Sequence, residues 1–249
     1  MDELIEKIKK YDWGQSRVAL VEFSDNLREA YGDKKKLGKI EASLLDVLNS
    51  SDATPAGKQF ACRQLGIIGT KNSVIGTKNS VPVLAKMLTA EETSDMARYA
   101  LERIPDAAVD NALREALSKT TGKVQVGIIN SLGQRRDSKS VSALSKLVSD
   151  SDSSDKSDST VAEAAVAALG MIADSQASEV LAQAKGQTSG KLRVAVLDAY
   201  LKCADRLAAQ GQKENALAIY KELYKPDEPT PIRTAALRGL VTVTKEDKK

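Results

Sequence analysis

The stretch VQVGIINSLGQRRDSKSVSALSKLV, residues 124–148, reads as a helix, a tight turn at Arg136, Asp137 and Ser138, and a second helix. Ile128, Ile129 and Leu132 fall on one face of a 3.6-residue helix, and Val141, Leu144, Leu147 and Val148 repeat that pattern after the turn. Two such helices cannot bury both stripes by themselves, so they need neighbours of the same kind. The chain supplies them. FACRQLGIIG (60–69), MARYALERIPD (96–106), EAAVAALGMIAD (163–174) and AALRGLV (235–241) all echo the helix GIINSLGQRRD.

These segments resemble the second helices of HEAT repeats, in the short form found in bacterial HEAT-like and armadillo-type proteins. The resemblance covers most of the chain. It implies an all-α fold, a right-handed α-solenoid of about six to seven HEAT-like helix pairs, forming one repeat domain over residues 1–249. Similar bacterial arrays are often one part of a larger multidomain protein, so an excised module is a second expectation.

Composition agrees with closely packed helices. Hydrophobic residues make up 42% of the chain but aromatics only 4%, so the core must be built from Ala, Leu, Val and Ile. Lysine and arginine number 37 against 34 acids, a net charge of +3 that gives no basic footprint for nucleic acid. There is no histidine, which removes Ser-His-Asp and Cys-His nucleophile systems and every histidine metal site. It also removes the His-Glu di-iron centres of the HEAT-like hydroxylases. The two cysteines, Cys62 and Cys203, fall on predicted helices and read as buried free thiols. No signal peptide opens the chain and no apolar run approaches a membrane span, so a cytoplasmic placement is expected, or export as part of a larger protein.

In chain order, residues 2–11 form a short amphipathic helix with Leu4, Ile5 and Ile8 inward. Trp13, the only tryptophan, is expected to plug the open end of the first repeat. Ser16 is placed to cap a helix over 17–31. Residues 34–49 follow with Leu37, Ile40, Leu44, Leu45 and Leu48 inward. Thr54 and Pro55 restart the chain as cap and first helical residue, and that helix should stop at Gly66 or Gly69.

Residues 68–74 and 75–81 are then the same heptapeptide, IGTKNSV. Solenoid units are longer and only loosely alike, so an exact copy points to replication slippage or engineering. Its Gly-Thr-Lys is no P-loop, because the spacing from Gly69 to Gly76 is wrong and no strand precedes it. Asn79 and Ser80 should cap the helix that Pro82 opens, leaving the first copy as an exposed excursion. Residues 149–159, SDSDSSDKSDS, are expected to form a polar mobile loop. Asp150 and Asp152 begin like an EF-hand, but Asp155 and Val161 stand where glycine and glutamate are required. Near the C-terminus, KENALAIYKELY partly resembles a tetratricopeptide repeat, and KPDEPTP (225–231) reads as a stiff connector.

Aligning the second helices on Leu65, Leu101, Leu132, Leu169, Leu201 and Leu240 gives units of 31 to 39 residues. Mostly small residues stand one and four places before these leucines, which allows close helix approach. Two places before stand Arg63, Tyr99, Asn130, Ala167, Ala199 and Arg238, and six before stand residues including Glu163. In HEAT solenoids the second helices line the concave surface. The resemblance therefore makes Arg63, Tyr99, Asn130 and Glu163 the candidate partner-binding residues.

The function this implies is a non-catalytic, protein- or peptide-binding scaffold acting as a monomer, with no catalytic residue, metal or cofactor and no membrane or nucleic-acid partner. The alternatives are a HEAT-like enzyme of the bilin lyase or DNA glycosylase type, or a solenoid built to test an insertion. The enzyme would need a carboxylate with aromatics, or a basic groove, gathered in one cleft.

Overall fold

The computed structural model describes residues 1–68, 78–149 and 156–246. The described residues are α-helical with short connections and contain no strand. Their packing divides the chain into two compact units, 1–128 and 129–249, with the division falling inside one helix. The first copy of the heptapeptide, apart from Ile68, lies outside the described residues, as do residues 150–155 of the polar run.

The N-terminal unit contains α1 (Asp2–Lys9), α2 (Val18–Glu29), α3 (Lys34–Asn49), α4 (Pro55–Ile68), α5 (Val81–Lys86), α6 (Glu91–Leu101), α7 (Ala107–Leu117) and the start of α8 (Gly122–Arg135). Each first helix packs on its own second helix, α3 on α4 and α5 on α6. First helices also pack on first helices, α1–α3–α5–α7, and α4 packs directly on α6. That two-layer stacking of like on like is what a repeat array requires, since no single helix pair could bury its stripe alone.

Several expectations hold at the level of single residues. Leu4, Ile5 and Ile8 are buried. Thr54 Oγ1 accepts the Gly57 N–H at 3.0 Å, capping α4 as its Thr-Pro start implies. Trp13 departs from expectation: it is 62% exposed, in the turn after α1. Ile8 and Phe23 are the fully buried residues of this region, and Phe23 meets Phe60 edge-on at 5.6 Å. Arg17 stands at the N-cap of α2, and Ser16, one place before it, accepts the Val18 N–H through Oγ at 3.5 Å.

On α3 the inward stripe is Leu37, Ile40, Glu41, Leu44, Val47 and Leu48, with Leu45 only half-buried. A carboxylate therefore occupies a core position. Ser80 stands at the N-cap of α5 as expected, yet its side chain does not cap the helix; Ser80 Oγ donates to Glu41 Oε1 at 2.6 Å.

The C-terminal unit continues with a 3-10 turn (Ser138–Ser140), α9 (Val141–Ser149), α10 (Lys156–Ile172), α11 (Ser175–Gln187), α12 (Gly190–Ala209), α13 (Lys213–Leu223) and α14 (Thr230–Glu246). Pairs α9–α10, α11–α12 and α13–α14 pack internally, while α10, α12 and α14 stack on one another in order. Part of the polar run is thus helical, because α9 takes in Ser149 and α10 begins at Lys156. The connector before α14 is pinned by Glu228, which is 4% exposed and accepts Arg193 at 2.9 Å and Lys185 at 3.5 Å.

Candidate functional site

The second helices carry a short repeated device. Leu65, Leu132 and Leu169 are buried, and each is followed by a glycine inside the helix, where a glycine stop would otherwise be read. A Cβ on Gly133 would lie 2.8 Å from Ala168 Cα, and one on Gly170 would lie 2.8 Å from the Ala199 carbonyl oxygen. Only hydrogen fits at those two crossings, so α10 can rest on the last turns of α8, and α12 on α10. Five residues after Leu101, Leu132 and Leu169 stand Asp106, Asp137 and Asp174. Asp106 accepts the Ala108 N–H at 2.8 Å and Asp174 accepts the Ala177 N–H at 2.7 Å, starting the next first helix.

The anchor column fails at α12. Leu201 is half-buried, whereas Tyr200, Val196, Ala199, Cys203 and Ala204 are buried. Tyr200 is the inward residue because its ring fills the core and its hydroxyl donates to Glu222 Oε2 at 2.9 Å. The shift by one residue moves Ala199 from the expected open face into the core.

Of the four candidate binding residues, Arg63 and Tyr99 belong to the N-terminal unit, and Asn130 and Glu163 to the other. Arg63 is exposed on α4, one turn before Gly66. Tyr99 is half-buried on α6, and a Cβ on Gly66 would come within 3.0 Å of its Cε1, so the ring lies against α4 at that glycine. Arg103 stacks its guanidinium carbon 3.6 Å from the centroid of the Tyr99 ring and donates through Nη1 to the Tyr99 carbonyl oxygen at 2.6 Å. Ile67, 42% exposed, follows Arg63 by one turn. Tyr99 and Arg103 thus meet at Gly66 of α4, the helix that also carries the exposed Arg63 and Ile67. In the C-terminal unit Asn130 is exposed on α8 and Glu163 half-buried on α10.

Arg103 and Gly66 were not among the sequence candidates. Arg103 follows Tyr99 by four places, which is a helical-neighbour signal, but nothing local marks Gly66 as the seat of a ring 33 places away. The titratable groups most altered by the fold are structural. Burial pushes the Cys62 thiol up to about 12 and the Cys203 thiol up to about 11, so neither is a nucleophile at neutral pH. Burial raises Glu41, partly offset by the Ser80 hydrogen bond. Burial also acts to raise Glu222, but hydrogen bonds from Lys185 and Tyr200 outweigh it and hold that carboxyl below its usual range. No described helix is long and apolar enough to cross a membrane.

The stacked helix pairs, the small residues at their crossings and the capping aspartates define an α-solenoid of HEAT-like repeats. A family model described as HEAT repeats matches residues 111–200. Among solved structures, the crystal structure of an engineered protein aligns with 97% of this chain and 67% of its own, at 18% identity and a TM-score of 0.46. No curated protein matches the sequence.

Proposed function

We propose that this protein is a non-catalytic scaffold that binds a protein or peptide segment on the open side of its second helices. Arg63, Tyr99, Asn130 and Glu163 are the contacts inferred from the repeat register, with Arg103 added to the first pair. The observation that supports this reading best is the Tyr99 ring set against Gly66 and stacked by the Arg103 guanidinium. Arginine and tyrosine dominate binding energy at interfaces when they are rigid before the partner arrives. Here the ring is backed by one helix and covered by a cation, so little side-chain entropy remains to be lost.

The test is a selection of phage-displayed peptides on the purified protein, followed by affinity measurement of the enriched sequences. Replacing Arg63 and Arg103 by alanine should weaken their binding at least tenfold with an unchanged thermal midpoint. Tyr99→Ala is a poorer probe, because removing a half-buried ring from Gly66 also costs packing. Enriched peptides that bind the Arg63→Ala, Arg103→Ala variant as well as the wild type would remove this patch from the function.

A further inference from the structure

A groove of about 520 Å³ lies on the C-terminal unit, lined by Arg136, Gly170, Met171, Lys202, Asp205 and Arg206, among others. Lys202 and Arg206 are one turn apart on α12, and Arg136 follows the end of α8. Its one acid, Asp205, is engaged by Tyr220, whose hydroxyl donates to Asp205 Oδ1 at 2.6 Å. We infer that this groove binds the carboxylates of an acidic peptide segment, with Arg136, Lys202 and Arg206 as the receiving cations.

Three observations carry the inference. Arg136 has φ +57°, in the left-handed region. It terminates α8 in a Schellman arrangement, with its own N–H on the Gly133 carbonyl at 3.0 Å and the Asp137 N–H on the Leu132 carbonyl at 3.1 Å. Glycine is the ordinary residue there, and an arginine costs stability that its exposed side chain does not return through burial. Ala173 follows α10 with φ +51° at the same register, so the left-handed turn belongs to the repeat, and what is particular to Arg136 is the cation it places at the rim of the groove. Second, Arg206 Nε is buried and has no hydrogen-bond partner among the described residues. A charged donor taken out of water without an acceptor is costly, and a bound carboxylate would relieve that cost. Third, among the described residues Lys202 pairs only with Asp198, at 2.7 Å, and both side chains are more than half exposed, so the pair exchanges readily for another anion.

The simpler account is that these cations neutralise the negative C-terminal ends of the helices. It fits Arg206, in the last turn of α12. It does not fit Arg136, since glycine would close α8 at lower cost. A free phosphate is a weaker match than a peptide. The cations are spread over two helices above a floor containing Met171 and Ala209, which suits an extended chain with apolar stems.

Fluorescence anisotropy of labelled hexaglutamate, with labelled hexaserine as control, tests the proposal on the full chain. Wild type should bind hexaglutamate, more weakly as salt rises, and should not bind hexaserine. Arg136→Gly should weaken binding about tenfold or more while raising the thermal midpoint, because glycine relieves the backbone. Lys202→Gln should weaken binding with the midpoint unchanged, which keeps the test open if an Arg206 variant fails to fold. Arg63→Ala, in the other unit, should leave hexaglutamate binding intact, so failure here is distinct from failure of the α4–α6 patch. No hexaglutamate binding by wild type, equal binding by Arg136→Gly and Lys202→Gln, or full displacement by inorganic phosphate at equal concentration would each overturn the proposal.

Discussion

Ser80 donates its hydroxyl to the Glu41 carboxylate at 2.6 Å, and both residues are buried, at 0% and 4% exposure. The bond ties the core face of α3 to the first residue of the α5 turn. Ser80 is the sixth residue of the second heptapeptide copy, so the bond also anchors the end of that copy on the core. Ser80→Ala leaves a buried carboxylate without this donor and should cost about 1–3 kcal/mol in urea unfolding. Replacing both partners, Ser80→Ala with Glu41→Leu, should cost less than the single change, since no polar atom of the pair is then stranded. Additive losses would mean that the two side chains do not act as a pair. The pH dependence has a defined sign. Glu41 is raised above its ordinary 4.5 by burial, so its stabilising share is complete below that value and is lost as pH rises through the folded pKa. Glu41→Gln should lack that decline.

Deleting either copy of IGTKNSV yields the same shortened chain, in which Ser, Val and Pro still follow one another into α5. Four residues would then separate Ile68 from Ser80, as many as separate Leu101 from Asp106 at the next repeat junction. By loop-closure entropy alone, shortening the connection from eleven residues to four is favourable by about 0.9 kcal/mol. The deletion variant should therefore keep its helical circular dichroism and unfold at an equal or slightly higher temperature. A loss of several degrees would show that the extra seven residues are packed.

The glycines divide into two groups with opposite responses. Gly38 is exposed within α3, and a Cβ there would meet nothing within 4 Å. Gly38→Ala should stabilise the protein by about 0.5–1 kcal/mol through helix propensity. At Gly133 and Gly170 the new Cβ would lie 2.8 Å from the backbone of the neighbouring second helix. Alanine at either position should destabilise by about 1–3 kcal/mol. Equal responses at all three sites would show that the second helices do not approach so closely.

The contrast also marks what was legible in the sequence. Amphipathic stripes such as Ile128, Ile129 and Leu132 declared the helices, and the recurring leucines declared their stacking. What was missed depends on partners far away in the chain. A glycine after a buried leucine is ordinarily a helix stop, and only the neighbouring helix reveals Gly133 and Gly170 as crossing points. Glu41 has the composition of a surface residue, and its partner lies 39 residues away. Tyr200 displaced Leu201 from the anchor column because Glu222, on α13, gives the tyrosine hydroxyl a bond that leucine does not need. The candidate site was legible only as a register: Arg63 and Tyr99 followed from it, but Arg103 and the seat at Gly66 did not.

Cys62 and Cys203 should be silent in the native state. Both are fully buried, and burial lifts their thiols to about 12 and about 11. A disulfide reagent at mildly alkaline pH should label neither before unfolding and both after denaturation in guanidinium. Rapid native labelling of either would place that thiol at a solvent-open site.

The two phenol–carboxylate bonds of the C-terminal unit set its alkaline limit. Tyr200 donates to Glu222 at 2.9 Å and Tyr220 donates to Asp205 at 2.6 Å. Burial and then the carboxylate partner push each phenol above its ordinary value of 10. Because the folded pKa values are raised, the stabilisation is complete below pH 10 and is lost as pH climbs through them. Each Tyr→Phe change should lower stability at neutral pH by about 1.5–3 kcal/mol, the range for a hydrogen bond to a charged group. Urea unfolding of the double phenylalanine variant should then show a shallower decline above pH 10 than the wild type. If the two chains lose stability in parallel over that range, the phenols are not what the rising pH acts on.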